Sequence, residues 1–172
     1  MRLRRQFGLS MIEVLVTLTI VAFGLLGLAG LQARSLSFQK DSFDRKAATE
    51  VAVQLAELLI ANHDGFREGH YDKTLSPATS ILDSVAACAD PARCTPEEIA
   101  KRDWALWTAE LRRRLPVSGA YLQAVPGAEE LVLTLAWQEG QQTDGAADGI
   151  CDDAPVNIND PSFRCARWVL HP

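Results

Sequence analysis

The apolar residues of the chain are unevenly spread. Eighteen consecutive uncharged residues, Val14 to Leu31, stand near its start, long enough for a helix to cross the hydrocarbon core of a bilayer. Beyond them the pattern becomes a stripe: Leu36, Phe43, Ala47, Val51, Leu55, Leu58 and Leu59 recur at three- and four-residue steps, the period of a helix with one buried face. No proline falls between Leu9 and about Asn62, so the pattern predicts one helix of roughly 50 residues, ~75 to 80 Å long. Its first half should be bare and its second half packed on a head, with Gly65 as the stop. Gly24, Gly27 and Gly30 weaken the first half by up to ~1 kcal/mol each relative to alanine, or else serve close helix packing.

After Gly65 comes a connector with Pro77, Pro91 and the pair Cys88 and Cys94. Thr95-Pro96-Glu97-Glu98 then supplies an N-cap, a proline at the first helical position and a glutamate two residues on, the signature of a capping box. A second helix is predicted from about Pro96 to Arg114, with Ala100, Trp104, Trp107, Leu111 and Leu115 on one side and Pro116 ending it. Trp104 and Trp107 read as core rather than a ligand platform. Three strands follow, Ala120 to Val125, Leu131 to Gln138 and Phe163 to Leu170, the first two joined by a turn at Pro126-Gly127. At 172 residues the chain has room for one such α+β head and one long helix.

Charge orients this arrangement. Arg2, Arg4 and Arg5 precede the apolar run, while Arg34, Lys40, Asp41 and Asp44 follow it, which places the N-terminus in the cytoplasm and the bulk outside. A secretory signal is one alternative, with Gly27-Leu28-Ala29 as a loose cleavage site, but its apolar core should span only about 7 to 15 residues. A plain membrane anchor is another. The chain carries 17 basic and 22 acidic side chains, a net charge of -5. Without the three leading arginines the balance is more negative still, which argues against a nucleic-acid partner. The basic cluster Arg112 to Arg114 reads as the last turn of the second helix, where cations complement the dipole.

What separates a third reading from both alternatives is Phe7-Gly8-Leu9-Ser10-Met11-Ile12-Glu13-Val14-Leu15-Val16. This stretch resembles the type IV prepilin signal, in which an inner-membrane peptidase cuts after the glycine, methylates the new N-terminus, and finds a glutamate fifth from the cut. The resemblance implies cleavage between Gly8 and Leu9, N-methylation of Leu9 and a subunit-assembly role for Glu13. Leu9 stands where most family members carry phenylalanine, a departure that keeps the apolar character. Glu13 also makes sense without the family, because a carboxylate in an apolar segment is costly and is retained with a partner. A neighbouring subunit's N-terminal amine would be that partner. The plainer alternative leaves Glu13 at the headgroup level, at the end of a membrane helix.

The order of long helix, connector and antiparallel sheet resembles the pilin fold. Gly24-Leu25-Leu26-Gly27-Leu28-Ala29-Gly30-Leu31-Gln32, together with Asp103-Trp104-Ala105-Leu106-Trp107 and Leu115-Pro116, is similar to the PilV family of minor pilins. That resemblance implies residues 1–8 as leader, 9–33 as the transmembrane and assembly half of the helix, and 34–172 as a periplasmic head that includes the helix to about residue 64. It further implies a low-copy subunit that primes a pilus from a tip complex, with prepilin peptidase, other minor pilins, a tip adhesin and the major pilin as partners. The inner membrane would hold the chain before assembly, with roles in adhesion and twitching motility. A minor pseudopilin of a type II secretion system is the nearest alternative. A membrane-anchored enzyme or binding domain is the alternative of another class.

Catalytic chemistry is missing from the pattern. His63, His70 and His171 show no zinc spacing with the cysteines, and neither a nucleophile elbow nor a phosphate loop occurs. No enzyme, cofactor or metal is expected. The acidic positions Asp144, Asp148, Asp152, Asp153 and Asp160 do not follow a calcium-loop scheme and read as a solvated loop. Cys88, Cys94, Cys151 and Cys165 lack the spacing of thiol oxidoreductases and read as structural disulfides in an oxidising compartment. Three pairings are open; Cys88 with Cys94 and Cys151 with Cys165 is expected, since it closes the shortest loops.

Overall fold

A computed structural model describes residues 10–79, 93–139, 151, 160 and 162–172. The chain divides into two compact units, Met1–Lys40 and Asp41–Pro172. Helix α1, Met11–Ala61, is continuous through the division between them.

In the first unit every described residue from Ser10 to Lys40 is exposed. The hydroxyls of Thr17 and Thr19 donate to the carbonyls of Val14 and Leu15 at 2.9 and 2.8 Å, so these polar groups are satisfied within the helix itself. In the second unit α1 buries Ala48, Val51, Ala52, Leu55 and Leu59. The expected stripe is therefore partly corrected. Leu36 and Phe43 are 65% and 67% exposed, and two alanines stand in the packed face instead, where their size admits bulky residues of the facing elements.

The helix also stops elsewhere than expected. It ends at Ala61, and Asn62 caps a one-turn helix α2, His63–Arg67, by accepting from the Gly65 amide at 3.4 Å. Gly65 is thus inside a helix. A Cβ there would lie 2.9 Å from the Pro96 carbonyl oxygen, so glycine is required by close approach and not by a left-handed turn. The reversal falls at Gly69, φ +79°, where the Gly69 amide donates to Phe66 O and the His70 amide to Gly65 O, both at 3.0 Å. That bond pair is the Schellman termination.

Strand β1 is only Thr74–Leu75, too short to show an alternating pattern, and sequence reading missed it. Helix α3, Pro96–Arg114, has the expected bounds and capping box: Thr95 Oγ1 accepts from the Glu98 amide at 3.2 Å, and Glu98 Oε2 accepts from the Thr95 amide at 2.9 Å. Ala100, Trp104, Trp107, Leu111 and Leu115 are buried. The two indoles stack with centroids 5.5 Å apart, and Trp107 Nε1 donates to the Val51 carbonyl of α1 at 2.8 Å.

Strands β2, Ser118–Ala124, β3, Leu131–Gln138, and β4, Phe163–Leu170, complete an antiparallel sheet in the order β1-β2-β3-β4. The β2–β3 turn has Pro126 and Gly127 at its centre, with Gly127 at φ +81° and the Ala128 amide donating to Val125 O at 3.1 Å, as a type II turn requires. Ala120, Leu122, Leu133, Leu135 and Trp137 join the helical core, whereas Tyr121, Ala136, Phe163, Cys165 and Cys151 form a second cluster. The two sets alternate along each strand, as the two faces of a sheet must. The fold is α+β, a long N-terminal helix with an antiparallel sheet and additional helices.

Cys151 and Cys165 are bonded, with Cα atoms 5.3 Å apart. Cys94 is also in a disulfide, while Cys88 lies outside the described residues. So do Asp144, Asp148, Asp152 and Asp153; Asp160 accepts from the Ser162 amide at 2.9 Å.

Candidate assembly segment

Gly8 and Leu9, the expected cleavage and methylation positions, lie outside the described residues. The next residue, Ser10, starts the helix: the Glu13 amide donates to its carbonyl at 3.0 Å and to its Oγ at 3.3 Å. Ser10-Met11-Ile12-Glu13 thus forms one half of a capping box, a pattern legible in the sequence that the expectation for Glu13 passed over. Glu13 is the one acidic residue of the first turn and is exposed. A carboxylate there faces the positive end of the helix dipole and remains accessible to a second cation.

Around and beyond Glu13 the helix surface is apolar on all sides. Met11 is 85% exposed, Phe23 70% and Leu31 68%, and α1 contains an 18-residue stretch long and apolar enough to cross a membrane. A Cβ at Gly24, Gly27 or Gly30 would meet nothing within 4 Å, so no contact among the described residues explains these glycines. Such a helix is hydrophobic all round and needs lipid or other helices as its surroundings.

In the second unit, polar ties fix the elements behind the sheet. Tyr71 Oη donates to Asp103 Oδ2 at 2.8 Å and accepts from Asn62 Nδ2 at 3.1 Å, and Asn62 Nδ2 also reaches the Pro96 carbonyl at 2.9 Å. Arg102 completes the group on Asp103 Oδ1 at 3.1 Å. Burial, more than the neighbouring Asp103 carboxylate, pushes the Tyr71 phenol well above its ordinary value. The basic cluster at the end of α3 divides its work. Arg112 donates to the carbonyls of Ser76, Pro77, Thr79 and Pro116. Arg113 and Arg114 hold Glu110, and Arg114 also pairs with Glu50 of α1.

The segment beginning at Glu13 and the fold of the second unit meet in the comparisons with known families. A model of the prokaryotic N-terminal methylation motif matches residues 3–29. A second model, described as type IV pilin Tt1218, matches residues 30–105. Together they support a type IV pilin. No curated protein and no solved structure matches the chain. For a pilin-type chain the exposed apolar helix and Glu13 become the residues of interest, and the methylation motif implies prepilin peptidase processing and pilus-type assembly. The pilin family is structural rather than enzymatic. Membrane anchoring followed by incorporation into a filament fits both the apolar helix and the motif.

Proposed function

We propose that this chain is a minor pilin, held in the inner membrane by residues 9–33 with its head in the periplasm. It is cut after Gly8, methylated on Leu9 and built into a type IV pilus as part of a tip complex. The observation that carries the reading is the match of the methylation motif to residues 3–29, continued by a helix whose apolar surface is exposed on every side. In a bundle of such helices, each beginning at a free amine, Glu13 offers the countercharge to a neighbour's N-terminus and sets the axial register. The assignment to the PilV family rests on the stretches Gly24 to Gln32 and Asp103 to Trp107. It brings other minor pilins, a tip adhesin and the major pilin as partners.

Replacing Glu13 by glutamine tests the assembly role, because it keeps size and removes charge. The variant is expected to insert and be cut as the parent is, yet to be depleted about tenfold or more from sheared filaments, since the partner amine is left without its countercharge. Wild-type levels in sheared filaments would reduce Glu13 to a feature of an anchor. Deletion of the gene separates the machines: loss of pili with secretion intact supports the pilus reading, and the reverse supports a type II secretion pseudopilin.

A further inference from the structure

Within the second unit, an open cleft of about 190 Å3 lies between α1 and β4, lined by Arg45, Thr49, Trp137, Arg164, Ala166 and Trp168. It is smaller than the ~300 Å3 at which small-molecule sites begin, and suits a single side chain. Its polar groups are unevenly satisfied. Glu139, with a side chain only 3% exposed, accepts from Arg164 Nε at 2.8 Å, whereas Arg45 Nε is 3.8 Å from the other carboxylate oxygen. That separation is too long for a hydrogen bond. Arg45 is 66% exposed and so keeps donors open at the mouth, and two arginines against one carboxylate leave a net positive charge. Thr49 is occupied, donating to the Arg45 carbonyl at 3.1 Å. Trp137 contributes to the lining, while its Nε1 and the Glu139 Oε1 atom are both buried without hydrogen-bond partners.

We propose that this cleft receives an acidic side chain, a glutamate or aspartate, from an extended segment of a partner protein. The carboxylate meets Arg45 in a charge-assisted hydrogen bond, and its aliphatic stem lies against Ala166 and Trp168. Among the described residues β4 stands last in the sheet order, and the cleft beside it supplies side-chain selectivity to a segment that lies against it. This holds whichever machine the subunit serves.

The probe is a short acetylated, amidated peptide carrying one glutamate, titrated into the full-length protein in detergent while the indole N–H resonances are followed. The expected result is a saturable shift of the Trp137 resonance, with Trp104 and Trp107, outside the cleft, unmoved. The glutamine counterpart should leave Trp137 in place, and Arg45→Ala should weaken binding about tenfold. Arg45 is exposed, so this variant keeps the fold. Equal responses to the glutamate and glutamine peptides, undiminished binding by Arg45→Ala, or no saturable shift would overturn the proposal. So would an equal shift with acetate at the same concentration, which would mark a plain anion site.

Discussion

Tyr71 joins Asn62, at the end of α1, to Asp103 in the middle of α3 through one hydroxyl. Removing that hydroxyl leaves Asp103 buried with one partner fewer. Tyr71→Phe is therefore expected to cost about 1 to 3 kcal/mol, read as a lower midpoint in urea unfolding with unchanged m. The same burial raises the phenol's proton affinity in the folded state. Its contribution to stability is thus fully present below the ordinary tyrosine value of about 10 and is lost as pH rises above it. The wild type should lose stability between about pH 10 and 11 more steeply than Tyr71→Phe; equal slopes would contradict the account. Glu110 has the opposite sign. Its hydrogen bonds from Arg113 and Arg114 hold its carboxyl down to about 2, so its contribution is present at neutral pH and fades as pH falls from about 4 towards 2. Glu110→Gln should flatten the acid limb of the stability profile. The ties of Tyr71 were not legible beforehand: residues 62, 71 and 103 share no local pattern, and only packing brings them together.

Helix α3 shows what a local signal can carry. Its cap, first-turn proline and apolar face all lie between Thr95 and Leu115, and the expected span of about Pro96 to Arg114 matches the helix. Thr95→Ala should cost about 1 kcal/mol of stability, measured by thermal unfolding against the parent. The end of α1 was misread because glycine has two uses. Gly69 makes the left-handed turn, whereas Gly65 admits the Pro96 carbonyl, a neighbour 31 positions away that no reading of the helix alone reveals. Strand β1 escaped for the same reason: two residues paired with Ala120 and Tyr121 make no pattern of their own. Disulfides act at this scale too. The Cys151–Cys165 bond, 14 residues apart in sequence, should contribute about 3 kcal/mol in the chain-entropy model, and Cys151→Ser with Cys165→Ser should lower the unfolding midpoint accordingly. We propose Cys88 as the partner of Cys94, and non-reducing peptide mapping should find them in one linked pair.

At the scale of the whole molecule, the sequence divides a long apolar helix from a polar head. The exposed surface from Met11 to Leu31 and the buried core from Ala48 onward follow that division. Periodicity placed the helix face, yet it ran on through Leu36 and Phe43, which are exposed, because a repeat in sequence does not say where its packing partner ends. The N-terminal methylation motif was legible for a different reason: it lies in residue order over residues 3–29 and not in contacts within one chain. An apolar helix exposed on every side is explained only by surroundings outside the subunit. The central claim is accordingly that the chain is a prepilin matured for assembly, and intact-mass measurement of the protein extracted from membranes tests it most directly. The account predicts a chain beginning at Leu9 and one methyl group heavier than the bare sequence. A mass that still includes residues 1–8 in cells with active prepilin peptidase, or a chain beginning near Gly30, would contradict it.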